Sequence, residues 1–90
     1  MNNLILVSNI DIFREVNNFS TNYTFIYINN FKNNMNDSII GIITTKKEYN
    51  NIYKKINLFK NLKIVGIIGN SLGKLNLNYL FEKNIKVVNT

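Results

Sequence analysis

The stretch from Ser38 to Gly69 reads SIIGIITT, then KKEYNNIYKKINLFKNL, then KIVGIIG, and this succession of patterns decides the fold. Its two ends are short runs rich in Ile and Val, and its middle carries apolar residues at helical spacing. This combination predicts a strand, a crossover helix and a second strand parallel to the first. Because both strands are apolar on both faces, helices are expected on both sides of the sheet. The crossover connection is expected to be right-handed.

The middle segment has a start signal and an amphipathic pattern. Thr45 and Glu48 have the spacing of a capping box, in which the Thr hydroxyl accepts from the Glu48 N–H and the Glu carboxylate accepts from the Thr45 N–H. This box predicts a helix that begins at about Lys46 and ends at Asn61. Five apolar residues form one stripe of that helix, namely Tyr49, Ile52, Tyr53, Ile56 and Phe59. Three lysines fall on the other side, namely Lys47, Lys54 and Lys55.

The rest of the chain supplies the remaining elements of one domain, residues 1–90. We predict strands at Leu4–Ser8, Tyr23–Ile28 and Ile85–Val88, and a helix at Asp11–Phe19 with Asp11 as its cap. The polar residues 29–37 are expected to form a loop or one helical turn. A last helix should bury an apolar face made of Leu72, Leu75, Tyr79 and Leu80. The predicted fold class is α/β: a small three-layer α/β/α sandwich with a mostly parallel sheet of four or five strands.

Composition excludes several kinds of chemistry. The chain has no Cys and no His, so disulfides, thiol nucleophiles and the usual zinc ligands are missing. General acid–base or nucleophilic catalysis therefore lacks candidate residues. We predict a protein that is not an enzyme and that uses no cofactor and no small-molecule substrate. No signal peptide and no apolar run of about 18 residues is present, which predicts a cytoplasmic protein without a membrane span.

Two short motifs are candidates for phosphate chemistry. Residues 69–74 read GNSLGK after a predicted strand, but a phosphate loop needs four residues between its glycines and a hydroxyl after the lysine. The favoured interpretation is a strand-to-helix turn. A receiver domain would need acidic residues at the ends of its first and central strands. Ser8-Asn9 and Thr44-Thr45 occupy those positions, so phosphoryl transfer to Asp is not expected.

The net positive charge lies entirely in the second half of the chain. Residues 1–45 carry a net charge of −1 and residues 46–90 carry +7, including nine lysines. Such asymmetry fits a polyanion partner, and it also fits a solvated lysine-rich surface. On the first interpretation, the candidate RNA-binding residues are Lys46, Lys47, Lys54, Lys55, Asn70 and Lys74.

Several short features follow one another from Tyr23 to the end of the chain. They are Tyr23-Thr24 with Tyr27, Phe31-Lys32, the apolar run Ile39–Ile43, Tyr49 with Tyr53, Gly69-Asn70, Leu72-Gly73, Tyr79 and Ile85–Val88. In this order they resemble the kink-turn-binding ribosomal protein family over about three quarters of the chain. The resemblance implies a non-enzymatic component of the ribosome or a similar particle, in contact with structured rRNA and neighbouring proteins.

The strand at Leu4–Ser8 supports an alternative. It has a place in a five-stranded receiver-like sheet, such as that of the F subunit of V-type ATPases. That resemblance implies a protein–protein interaction module, for example a central-stalk subunit of a rotary ATPase. The leading hypothesis remains a basic RNA-binding protein.

Overall fold

The computed structural model describes residues 3–18, 22–69, 72–73 and 75–89. The strands in this part of the chain are β1 (Leu4–Val7), β2 (Thr24–Tyr27), β3 (Ile39–Thr45), β4 (Ile64–Ile68) and β5 (Lys86–Asn89). The α-helices are α1 (Ile10–Val16), α2 (Tyr49–Tyr53) and α3 (Asn78–Glu82). Short 3-10 helices cover Ile28–Asn30, Asn33–Ser38 and Ile56–Leu58.

The strands form one parallel sheet in the order β2-β1-β3-β4-β5. The predicted parallel pairing of β3 with β4 is confirmed, with Gly41 opposite Ile64 and Thr45 opposite Ile68. The chain first runs outward from β1 to β2, then returns past β1 to β3 and continues to β5. This reversal of direction is the strand order of flavodoxin-like, doubly wound sheets.

The reversal of direction distributes the helices over two faces. Right-handed connections place α1 on one face of the sheet and α2 and α3 on the opposite face. The main core lies between the sheet and α2, the turn after it and α3. Its buried members are Leu6, Ile39, Ile42, Tyr49, Ile52, Ile56, Phe59, Leu62, Val65, Ile67, Leu80 and Ile85. The predicted α/β sandwich is confirmed, and α1 is the only described helix on its own face.

The crossover helix is shorter than predicted. It covers Tyr49–Tyr53 and is followed by the 3-10 helix Ile56–Leu58, instead of running unbroken from Lys46 to Asn61. It starts later because Thr45 is still paired with Ile68 inside β3. Asn50 and Asn51 inside α2 also have low helix propensity, which favours a short helix. The buried stripe is nevertheless confirmed, since Tyr49, Ile52 and Ile56 are almost fully buried.

One of the two hydrogen bonds of the predicted capping box is present in the structure. The Glu48 N–H donates to the Thr45 hydroxyl at 3.2 Å, as expected. The Glu48 carboxylate, however, accepts from two hydroxyl groups, Thr45 Oγ1 at 2.9 Å and Ser8 Oγ at 3.1 Å. The expected return bond from the Thr45 N–H is absent because that residue belongs to the sheet. The carboxylate therefore links α2 to β1.

The cap of α1 also differs from the prediction. Asn9, not Asp11, caps the helix, and its Oδ1 accepts from the N–H groups of Asp11 at 3.0 Å and Ile12 at 3.1 Å. The helix begins at Ile10, so Asp11 lies in its first turn, where a carboxylate is favourable to the helix dipole. The helix ends at Val16, with Asn17 as its C-cap, and is therefore shorter than predicted. The predicted end, Phe19, itself lies outside the described residues.

The other predicted element boundaries differ less from the structure. The polar segment at residues 29–37, predicted as a loop or one turn, contains two 3-10 helices. Leu72 and Leu75 precede α3 and are not part of it, although both pack against the core. The last strand begins one residue later than predicted, at Lys86.

Candidate nucleic-acid interface

A polar cluster lies where the carboxyl ends of β1 and β3 meet. In open parallel sheets, this point of reversed strand order is a common ligand site. Here Ser8 Oγ lies 2.7 Å from Thr44 Oγ1, and both residues are buried. Ser8 and Thr45 also contact the Glu48 carboxylate. The hydroxyls and the carboxylate satisfy one another, so the cluster joins β1, β3 and α2 and serves the fold.

The strand ends at this edge are the positions where a receiver domain would carry its acidic residues. Ser8-Asn9 and Thr44-Thr45 do lie at the ends of the two central strands, and no aspartate is among them. Among the described residues there is no group of three or more His, Cys, Asp or Glu that could hold a metal ion. Within the same residues, no helix is long and apolar enough to cross a bilayer.

The glycine-containing segment after β4 packs against the end of β3. A Cβ atom on Gly69 would lie 2.9 Å from the Cβ of Lys46, so this close approach requires glycine. The Lys46 N–H donates to the Ile68 carbonyl at 3.0 Å, and its side chain is half-buried. Lys46 is therefore partly committed to the fold. The other two predicted site residues of this segment, Asn70 and Lys74, lie outside the described residues.

Three of the predicted RNA-binding lysines have exposed side chains. Lys47 precedes α2, while Lys54 and Lys55 follow it, and all three side chains are exposed. Within the described part of the chain, the one ion pair joins Lys60 Nζ to Asp37 Oδ2 at 3.3 Å. Lys47, Lys54 and Lys55 therefore present ammonium groups that no described carboxylate neutralises. We call these three residues the lysine face.

A groove beside the lysine face was not predicted. Two open cavities of about 340 and 350 Å³ adjoin each other and share Asn57 and Tyr79. We call them together the tyrosine groove. Its lining consists of Tyr53, Lys54, Asn57, Phe59, Lys60, Leu62, Tyr79, Lys83 and Ile85. The groove brings residues of α2 next to residues of α3, and a sequence pattern carries no signal of that proximity.

The tyrosines of this region differ in burial and in role. Tyr49 is fully buried, and its hydroxyl donates to the Asn76 carbonyl at 2.7 Å. Burial, with a smaller contribution from Tyr53, raises the pKa of the Tyr49 hydroxyl well above its usual value. The Tyr53 ring packs on that of Tyr49 with centroids 5.6 Å apart and remains half-exposed in the groove. Tyr49 therefore belongs to the core and supports the groove wall.

The opposite side of the sheet has an apolar surface beyond α1. It includes Ile43, Gly66, Ile68 and Val88, which we call the open sheet face, and a cavity of about 400 Å³ lies there beside Ile12 and Val16 of α1. Ile68 and Val88 are 41% and 42% exposed, which is high for aliphatic residues in a sheet. This surface can accept another apolar element.

Comparisons with known proteins bear on the fold alone. No family model and no curated protein matches the chain. The crystal structure of phosphoglycerate dehydrogenase from Lactobacillus plantarum is similar in fold, with a TM-score of 0.66 and 19% sequence identity. The alignment covers 97% of this chain and 28% of that chain, so the chain corresponds to a minor part of that protein's length. At this identity the likeness carries no information about activity.

Proposed function

We propose that this chain is a cytoplasmic, non-enzymatic RNA-binding protein of the ribosome or a similar ribonucleoprotein particle. The observation that carries the proposal is the lysine face: three exposed ammonium groups without a described carboxylate partner, next to a groove that holds further lysines and tyrosines. The resemblance to the kink-turn-binding ribosomal family and the absence of His and Cys support the same conclusion.

The physical basis of binding is electrostatic. Lysines act as mobile point charges toward phosphate, without the two-pronged geometry of arginine. Contacts from Lys46, Lys47, Lys54 and Lys55 would neutralise backbone phosphates and contribute affinity independent of base sequence. Asn70 and Lys74 belong to the same proposal from the sequence alone. Neighbouring proteins of the particle are its expected further partners.

The salt dependence of RNA binding tests this proposal. Because each neutralised phosphate releases counterions, the logarithm of the affinity should fall linearly with the logarithm of the salt concentration, with a slope of roughly −0.7 to −0.9 per contact. Fluorescence anisotropy with a labelled rRNA hairpin over a salt series measures this slope. If the protein does not bind the hairpin at physiological salt, the proposal is wrong.

The open sheet face favours a second candidate, a protein–protein interaction module of receiver-like fold. The face spans β3 to β5, about 10 Å at the usual strand spacing, which matches the width of one helix. Asp11 and Glu15 are exposed on α1, whose Ile12 and Val16 border this face. The fitting partner is an amphipathic helix with a basic flank. This candidate predicts no RNA binding at physiological salt, so the same titration separates the two functions.

A further inference from the structure

We propose that the tyrosine groove binds an unpaired nucleotide, so that the RNA recognised by this protein presents a single-stranded segment beside its phosphates. This inference rests on the proposed RNA-binding function and specifies which form of RNA the site takes. It is carried by the groove itself, which the sequence analysis did not predict.

The shape of the groove fits such a ligand. Its two cavities of about 340 and 350 Å³ are each at the lower end of the range that small ligands occupy in proteins. Asn57 and Tyr79 line both cavities, so the two lie side by side. A nucleotide could occupy both cavities, with its base in one and its sugar and phosphate in the other.

The walls of the groove are aromatic and held in place. Tyr53 packs on the buried Tyr49, whose hydroxyl is anchored to the Asn76 carbonyl at 2.7 Å. On the other side, Tyr79 is half-buried and has Lys83 Nζ at 5.9 Å from its ring centroid. Rings that are fixed before binding lose little conformational entropy when a base stacks on them. Aromatic side chains are the usual stacking platforms for unpaired bases.

The polar residues of the groove complete the recognition of a nucleotide. Lys54, Lys60 and Lys83 line it, and no carboxylate is among its described lining residues. Lys60 is held by Asp37 at the surface, which leaves Lys54 and Lys83 as the ammonium groups available to phosphate. The exposed Asn57 offers both an amide donor and a carbonyl acceptor, which can pair with the edge of a base. A fully paired helix keeps its bases stacked and cannot enter the groove.

The test compares a single-stranded oligouridylate with a fully paired, blunt RNA duplex. Tyr79→Leu is expected to weaken binding of the oligouridylate about 5- to 150-fold, the usual effect of losing one stacking platform. It should leave the affinity for the duplex and the salt slope unchanged. Tyr79→Phe keeps the ring and should bind both RNAs as the wild type does.

A second variant protects the test against loss of folding, because Tyr79 packs partly against the core. Asn57 is exposed, so Asn57→Ala should fold normally and weaken oligouridylate binding about 2- to 12-fold, as the loss of one hydrogen bond predicts. If both variants bind oligouridylate like the wild type while removal of the lysine face weakens both RNAs, the groove is not a nucleotide site and the RNA-binding proposal stands. If the wild type binds neither RNA, both proposals are wrong.

Discussion

Replacing Lys47, Lys54 and Lys55 together with Ala is expected to lower the affinity for RNA about 100- to 500-fold at about 0.1 M salt. Each lysine that neutralises a phosphate is worth about 0.7 to 0.9 logarithmic units of affinity at this salt concentration relative to 1 M. The three losses add, and the salt slope should become shallower by up to about three contacts. The free energy of unfolding should barely change, since these side chains are exposed.

The matched control removes three positive charges from other parts of the protein surface. Arg14, Lys32 and Lys86 are exposed and lie on α1, in the loop before β3 and on the edge strand β5. Their triple replacement with Ala should lower the affinity only through the smaller net charge. Anisotropy titrations of both variants over the same salt series compare the two effects. Equal losses in the two triple variants would mean that the lysine face makes no direct phosphate contact.

Replacing Tyr49 with Ala is expected to lower the free energy of unfolding by about 3–5 kcal/mol, the usual cost of emptying a buried aromatic site. Tyr49 is fully buried, packs on Tyr53 and anchors the segment before α3 through Asn76. A domain of this size is stable by only about 5–13 kcal/mol, so the loss is a large fraction of the total. Urea denaturation followed by circular dichroism measures it. A midpoint equal to that of the wild type would contradict the assignment of Tyr49 to the core.

The hydroxyl of Tyr49 can be separated from its ring. Tyr49→Phe should cost only about 1 kcal/mol at neutral pH, the value of one hydrogen bond. Burial raises the pKa of this hydroxyl in the folded protein, so the unfolded chain releases its proton first as the pH rises above about 10. The wild type should therefore lose stability relative to Tyr49→Phe above that pH, by at most about 1.4 kcal/mol per pH unit. A constant difference between the two proteins up to high pH would indicate an exposed hydroxyl.

The parts of the fold that follow local patterns were predictable. The apolar runs of β3 and β4 and the stripe Tyr49, Ile52 and Ile56 are read from adjacent residues, and both lie where they were expected. The start of α2 was not predictable in this way, because Thr45 can either cap a helix through Glu48 or pair with Ile68 of β4. The local pattern assigns it to a helix cap, and pairing with β4 keeps it in the sheet. Long-range pairing outweighs the local signal at that residue.

The candidate site was only partly predictable for the same reason. Exposed lysines can be identified from helical spacing, and Lys47, Lys54 and Lys55 are exposed as that spacing predicts. The tyrosine groove depends on the approach of α3 to α2, which brings Asn57 beside Tyr79. The contact between Ser8 and Glu48 likewise joins residues 40 positions apart. Both features depend on the strand order, which places β1 beside β3 and β4 between β3 and β5, and which no local pattern encodes.

Mapping the RNA contact on the folded protein shows directly whether RNA binds at the lysine face and the tyrosine groove. Backbone amide shifts of the isotope-labelled protein are followed while an rRNA hairpin with a single-stranded tail is added. We expect the largest shifts in the lysine face and the tyrosine groove, at Lys54, Lys55, Asn57 and Lys83. Shifts confined to Ile43, Gly66 and Ile68 on the open sheet face, or no shifts at all, would contradict the proposed RNA contact.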